Sequence, residues 1–394
     1  MDPILDIKKM WRDIFGDSAE YVNMIIDGYF DDTKSVIVAE NNQVIASSLV
    51  IPYNFRCFPD NISPDNIYKD NIYNNKSVIC GYYLCGLMTL PERRGCGIMK
   101  DVIGRIEANA IRNNVDFTFL IPADGKLRKY YEKLGYKNSS KRGIIKFRNI
   151  LQNICPENFK YIRNINTEDN VSSVVEISNN LSSKFFQLFK SILYSDNDKQ
   201  SYKEFNDIVS RILKSEIENT FDNRGYVYIQ HSTGQWRDIL ADHLRDNGSI
   251  LLGENTLILI TENNNIFPIF GTPENIWSII KNIVSGAFRS KDSGSDNNNN
   301  RYLESQDYTL YVADPHLWSS ILELLNINEM QCEATVGDSS RSIKKICNFL
   351  KDGIVSNCGN RFYEIEVRME YYGMAKSFIP SIDESDIVIS MMFD

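Results

Sequence analysis

The sequence predicts an α/β protein of two or three domains, with parallel strands joined by helical crossovers. Three observations carry that expectation. The chain has 394 residues, 43% of them hydrophobic, and single cores stop growing at roughly 250 to 300 residues. Over residues 79–135 a near-continuous apolar run gives way to helical spacing, returns to a run and gives way again, with glycines near the changeovers. Residues 290–300 read SKDSGSDNNNN without one apolar side chain, the composition of a flexible loop between folded parts.

Residues 7–30 carry apolar side chains at helical spacing around a break at Phe15-Gly16-Asp17-Ser18, where Asp17 or Ser18 suits the cap of a second helix. The β-rich runs 35–39 and 44–51 flank an Asn41-Asn42 pair, which predicts a hairpin. After a polar loop over 59–76, residues 79–90 are apolar or aromatic nearly throughout, as a strand covered on both faces would be. The helix over 101–113 places Val102, Ile103, Ile106, Ala110 and Ile111 on one side. A strand over 116–121 stops at Pro122, and a helix over 126–134 ends at Gly135. Strand, helix, strand in this order implies a parallel pair with a right-handed crossover. Beyond Pro156 the pattern is weaker. Helical runs over 174–191 and 202–219, strands over 225–230 and 250–261 and a helix over 273–286 predict a second α/β domain. Strands over 308–312, 362–369 and 387–392, with helices over 317–325 and 342–351, predict a third, α+β domain.

The opening Met1-Asp2-Pro3-Ile4 lacks the layout of a secretion signal, and no run of roughly 18 apolar residues occurs, so a soluble, cytoplasmic protein is expected. Forty-three Lys and Arg against 52 Asp and Glu give a formal charge of −9. That balance argues against nucleic acid or an anionic membrane as partner and suits cationic ones. The eight cysteines (Cys57, Cys80, Cys85, Cys96, Cys155, Cys332, Cys347, Cys358) form no C-x-x-C pair, so neither a cysteine-rich zinc site nor a disulfide framework is expected, and no metal. The three histidines, His231, His243 and His316, all lie beyond residue 230 and are read as structural or surface groups. Chemistry in the first half has to run without imidazole.

The strongest constellation is Pro91-Glu92-Arg93-Arg94-Gly95-Cys96-Gly97-Ile98-Met99 between a strand and a helix. Glycines there let backbone N–H groups approach a ligand, and a helix N-terminus favours an anion. Residues 91–146 hold thirteen Lys and Arg against six Asp and Glu, a basic island in an acidic chain. Both features point to a polyanionic ligand, with Arg93 and Arg94 as phosphate contacts. Cys96 sits among cations but has no His or second Cys nearby in sequence for a relay, and is read as an incidental turn residue.

Arg94-Gly95-Cys96-Gly97-Ile98-Met99 resembles the Q/R-x-x-G-x-G/A signature of the GNAT superfamily of acyl-CoA-dependent N-acyltransferases, with Met99 in place of the small last residue. That departure, Tyr130-Tyr-Glu-Lys-Leu-Gly-Tyr136, Phe119-Leu-Ile-Pro-Ala123 and Trp11-Arg-Asp-Ile-Phe-Gly-Asp-Ser18 look like its Eis-like branch. The match is specific over residues 1–145. The resemblance implies a mixed-sheet GNAT fold in tandem followed by a sterol-carrier-like α+β domain. Its parts are an acetyl-CoA-binding domain over 1–155, a degenerate GNAT-like domain over 156–289 and a sterol-carrier-protein-like domain over 301–394, with 290–300 as a loop. It further implies pyrophosphate on the amides of Arg94, Gly95, Cys96, Gly97, Ile98 and Met99, and the pantetheine arm along the backbone of Leu87, Met88 and Thr89. Tyr131 takes the position of the general acid, with Tyr130 a competing assignment. In that branch a terminal carboxylate reaches the active site, here that of Asp394, and relatives are often oligomeric, so a homo-oligomer is among the expected partners. The expected activity is transfer of an acetyl group from acetyl-CoA to an amine of a cationic small molecule or peptide. The alternative is a protein that binds coenzyme A as a sensor or structural ligand.

Overall fold

The computed structural model describes residues 2–57, 78–149, 174–176, 227–246, 248–253, 256–284, 307–333, 342–348, 362–379 and 382–389. The loops expected over 59–76 and 290–300, the helical run over 202–219 and Asp394 lie outside the described residues. In chain order the elements are α1 (Pro3–Phe15), α2 (Ala19–Tyr29), β1 (Val36–Glu40), β2 (Gln43–Cys57), β3 (Val78–Thr89), α3 (Ile98–Arg112), β4 (Phe117–Leu120), α4 (Gly125–Glu132) and β5 (Lys137–Asn149). There follow β6 (Val174–Glu176), β7 (Val227–Gln230), α5 (Thr233–Arg245), β8 (Ser249–Gly253), β9 (Thr256–Ile260), β10 (Asn265–Phe270), α6 (Pro273–Val284), β11 (Tyr308–Val312), α7 (Pro315–Leu324), β12 (Ile343–Asn348), β13 (Phe362–Ser377) and β14 (Ile387–Val388). This is a mixed α/β fold, as the sequence predicts. Among the described residues no helix is long and apolar enough to cross a membrane.

The chain divides into two compact units. The first gathers Met1–Ser140, Asn223–His231 and Tyr371–Ile389, and the second the remainder. Residues 371–389, expected in a C-terminal domain, are thus counted with the N-terminal sheet.

Local chemistry sets the first unit's start. Asp2 caps α1 by accepting from the Ile4 N–H at 3.0 Å, and Gly16, at φ 81°, ends it. Ser18 is the residue that caps α2, accepting from the Tyr21 N–H at 3.1 Å, while Asp17 accepts from Trp11 Nε1 at 2.7 Å. Asn41 and Asn42, with φ of 50° and 62°, turn β1 into β2, the left-handed pair that a two-residue hairpin needs. The sheet runs β14-β7-β2-β3-β4-β13, with β1 paired to β2. β3 and β4 are parallel, with α3 between them in sequence. Val102, Ile103, Ile106 and Ala110 of α3 pack with Val50, Tyr82, Leu84, Tyr131 and Met374 in one core. Tyr53, Phe55, Tyr83, Phe117 and Phe119 form an aromatic cluster of edge and stacked contacts.

The second unit's sheet runs β5-β11-β10-β9-β8-β6, and β12 pairs with the first half of β13. Trp277 and Ile280 of α6 and Trp318 and Ile321 of α7 bury against Ile145, Phe147 and Leu310. Gly143 permits this, since a Cβ there would stand 2.1 Å from the Trp318 ring.

Several expectations change. The run over 250–261 is two antiparallel strands, β8 and β9, rather than one. Residues 343–348 form a strand and not a helix. Ile343 and Ile346 recur at a helix-like interval of three, but pairing with 362–367 of β13 overrides it. Residues 174–176, predicted to begin a helix, form β6 parallel to β8. Elements that went unpredicted include β5, α5, β10 and a short helix at Glu329–Glu333.

Candidate active site

Two strands part company in the first unit. β3 pairs with β4 only at Gly81↔Phe117, Tyr82↔Thr118 and Tyr83↔Phe119, although β3 continues to Thr89. β13 holds the other edge of β4, from Met374↔Leu120 to Ser377↔Phe117. The cause of the parting is visible in β3. Its register with β2 shifts between Ser47↔Met88 and Leu49↔Cys85, so β3 has one residue more than its partner there, a β-bulge that bends the strand. Gly86 sits in the bulge at φ 56°, and a Cβ there would lie 2.2 Å from Cζ3 of Trp11. Only glycine satisfies both the backbone and that close approach.

Beyond the bulge the Leu90 N–H donates to the Ile45 carbonyl at 2.9 Å, toward β2. Strand alternation therefore turns the backbone groups of Leu87 and Thr89 to the edge that β4 has left, and those of Met88 toward β2. The Thr89 carbonyl accepts from Arg94 Nε at 3.1 Å, which ties the strand end to the turn after it.

That turn runs through a short 3₁₀ segment, Pro91–Arg93, into Gly95 and Gly97, both at φ 81°. Gly97 is the N-cap of α3 and gives it no side-chain cap, so the first-turn N–H groups of α3 have no intrahelical or capping acceptor. Nothing lies within 4 Å of a Cβ built on either glycine. The turn is an open concave stretch of donors. Arg93 is ion-paired with Glu40 on β1. Cys96 is exposed and free, its Sγ 3.9 Å from the Arg94 carbonyl. Leu87, Ile98 and Met99 pack against the same core as Tyr131, so strand end, helix start and α4 converge.

Tyr131 is buried and Tyr130 half-buried, their rings 5.3 Å apart. Burial pushes the Tyr131 phenol well above its ordinary value, helped by the charges of Tyr130 and Asp124. Burial raises Tyr130 as well. α4 is anchored at its start and at its middle. Asp124 caps it, accepting from the Lys126 and Leu127 N–H groups, and Arg128 donates to the Tyr371 carbonyl at 3.0 Å and to Asn138 Oδ1 at 2.6 Å. Behind it Tyr136 bonds Thr118 Oγ1 at 2.9 Å, and Lys376 bridges Glu107 and the Leu134 carbonyl.

The structure thus brings together Leu87, Thr89, Arg94, Gly95, Gly97, Ile98, Met99 and Tyr131. It turns Met88 backbone groups away, engages Arg93 with Glu40 and leaves Cys96 on the rim. One imidazole was missed. His231, buried, meets the Tyr53 ring edge-on at 5.5 Å within the first unit, and no local signal places a residue so distant in sequence there. Among the described residues no cluster of His, Cys, Asp or Glu could hold a metal ion.

No known protein-family model matches the chain, and no curated protein does. Among solved structures, a GCN5-related N-acetyltransferase from Kribbella flavida superimposes with a TM-score of 0.47 at 10% identity, over 92% of this chain and 69% of that one. A GCN5-related N-acetyltransferase from Anabaena variabilis gives 0.46 at 10% identity, over 93% and 70%. Eis1 from Mycobacterium abscessus gives 0.40 at 8% identity, over 79% and 66%. At these scores the likeness assigns neither family nor activity.

Proposed function

We propose that the chain is an acetyl-CoA-dependent N-acetyltransferase of the GNAT superfamily, Eis-like branch, acting in the cytoplasm on the amine of a cationic small molecule or peptide. The observation that carries this reading is the parted pair of strands. The edge of β3 beyond its pairing with β4, at Leu87 and Thr89, lies directly before the open Gly95 and Gly97 turn, an arrangement suited to a ligand with a phosphate at one end and an amide-bearing arm at the other. The layout 1–155, 156–289 and 301–394 belongs to the same reading.

In this mechanism the turn amides from Gly95 to Met99 hold the pyrophosphate, and Arg94, whose own N–H bonds the Pro91 carbonyl, adds a charge-assisted contact through its side chain. Arg93 contributes positive potential while paired to Glu40. The Leu87 and Thr89 backbone groups bind the arm as a further strand would, with Met88 between them. The acceptor amine attacks the thioester carbonyl directly, the C–S bond breaks, and the electron pair leaves on sulfur. Tyr131, whose raised pKa keeps it protonated at neutral pH, gives its proton to that sulfur. Asp394 takes the proton of the incoming ammonium. The acidic balance of the chain outside residues 91–146 favours a cationic acceptor.

The test is thiol release from acetyl-CoA against spermidine, an aminoglycoside and a lysine peptide, alongside calorimetry with coenzyme A. Amine-dependent thiol release supports the reading. Tight coenzyme binding without release by any acceptor returns the protein to a coenzyme-binding role, and absence of binding removes the assignment altogether.

A further inference from the structure

Tyr131 is the last residue but one of α4, a helix of eight residues. So short a helix is marginal in water by itself, and its end is held by whatever binds the final carbonyls. Here the Tyr131 carbonyl accepts from two N–H groups, that of Leu134 at 2.9 Å and that of Tyr136 at 3.1 Å. One side chain holds both of those residues in turn. Lys376 Nζ donates to the Leu134 carbonyl at 2.9 Å and lies 5.9 Å from the centre of the Tyr136 ring, within reach of a cation–π contact. The Tyr136 ring stands 6.1 Å from that of Tyr131, edge to face.

Lys376 is itself fixed from two sides. It sits on β13 opposite Thr118 of β4, the residue whose hydroxyl bonds the Tyr136 phenol at 2.9 Å. Its ammonium also donates to Glu107 Oε2 at 2.8 Å. Glu107 belongs to α3, the helix that starts directly after Gly97. Lys376 thus spans the helix that follows the open turn and the helix that bears the phenol. Its side chain is 28% exposed and that of Glu107 15%, so their pair is less screened than an ion pair in open solvent. A positive charge at the C-terminal end of α4 also suits the helix dipole. Every residue in this chain of contacts lies in the first unit.

We infer that Lys376 is a positioning residue for Tyr131. Bonded to Glu107, it fixes the last turn of α4 relative to α3, and so sets where the phenol stands with respect to a coenzyme held on the Gly95 and Gly97 turn. The inference rests on the acetyl-transfer reading and deepens it with a residue that acts through the proton donor.

Lys376→Met keeps the apolar stem and removes the ammonium, and Lys376→Arg restores a cation with donors for both acceptors. Each is made in the unaltered chain and in the Tyr131→Phe background. Thiol release from acetyl-CoA is followed with spermidine, the aminoglycoside or the lysine peptide, whichever is the fastest acceptor. Lys376→Met is expected to lower kcat about 10²-fold, the cost of misplacing a reacting group by about 1 Å. KM for acetyl-CoA and Kd for coenzyme A should stay unchanged, while amide exchange at Leu134 and Tyr136 quickens. Lys376→Arg should recover most of the loss. In the Tyr131→Phe background Lys376→Met should cost less than about 2-fold, because no phenol is left to place. Equal losses in both backgrounds, or weaker coenzyme binding, would mean a merely structural role and overturn the inference. So would unaltered kcat in the Lys376→Met chain. Should Lys376→Met not fold, Glu107→Gln, which weakens the hold on the ammonium, is expected to show the same dependence on Tyr131, and a loss independent of Tyr131 overturns the inference equally. A chain that binds coenzyme A but acetylates no amine refutes the transfer reading itself, and the role of Lys376 with it.

Discussion

Replacing Gly97 with valine tests the coenzyme site most directly, because structure and binding respond by different amounts. Gly97 caps α3 at φ 81° and ψ 0°. A left-handed conformation costs an L-residue about 1 to 2 kcal/mol, and no clash adds to it, since nothing lies within 4 Å of the new Cβ. The fold should therefore survive with a modest loss of stability. Binding has more to lose. The isopropyl group would occupy the open space through which an anion reaches the amides of α3. Each charge-assisted hydrogen bond withheld is worth about 1.5 to 3 kcal/mol, roughly 10- to 150-fold in Kd at 1.4 kcal/mol per factor of ten. Gly97→Ala keeps the backbone strain with less bulk and should fall between. Calorimetry with coenzyme A, paired with a thermal melt, gives both numbers. A lowered melting temperature with wild-type Kd would refute the assignment of the phosphate to this turn.

Further outcomes follow from other parts of the site. Tyr131→Phe should leave coenzyme affinity intact and lower kcat by roughly 10² to 10⁴, with Tyr130→Phe as the comparison; greater damage from Tyr130→Phe would exchange their roles. Removing Phe393 and Asp394 should abolish amine acetylation while coenzyme binding in calorimetry is unchanged; wild-type turnover would send the search for the base to other carboxylates. Gly86→Ala would drive a methyl into the Trp11 ring and should cost about 1 to 3 kcal/mol in a denaturant melt, partly restored by Trp11→Leu. For Tyr131 and Tyr136, burial raises the folded pKa above the ordinary value of 10.0. Their contribution is complete below that pH and is lost as pH rises beyond it, because the unfolded phenols ionise first. Melts from neutral to alkaline pH should show this decline, and Tyr136→Phe should flatten it.

The first 135 residues were legible because their signals are local. Gly16 and Ser18 punctuate the two helices, Asn41 and Asn42 make the hairpin, and the glycines of the turn announce a strand passing into a helix. What stayed hidden depends on partners distant in sequence. β5 opens with Lys137-Asn-Ser-Ser-Lys-Arg142, which has no strand pattern of its own and is held by contacts distant in sequence, such as the Ile389 bonds to Ser140, while Gly143 to Phe147 pair with β11. Residues 343–348 become a strand only because β13 accepts them. The site divides in the same way. The turn and Tyr131 could be read from a few neighbouring letters, whereas the Gly86 bulge needs Trp11, 75 positions earlier, and the Arg93 pairing needs Glu40. His231 reaches Tyr53 only through the pairing of β7 with β2.

The first unit is assembled from three separate stretches of chain, and this dictates when it can form. During synthesis residue 140 leaves the ribosome long before residue 389. At about 5 to 20 residues per second, the intervening roughly 250 residues take roughly 12 to 50 s. Through nearly all of that interval one edge of β4, later covered by Met374 to Ser377, has no strand to pair with, and for the first part of it the edge of β2 that awaits Val227 to Gln230 is open too. An open edge beside buried aromatics such as Phe117 and Phe119 is a template for pairing with other chains. Fragments cut after residue 155 are therefore expected to aggregate rather than to stand as small enzymes.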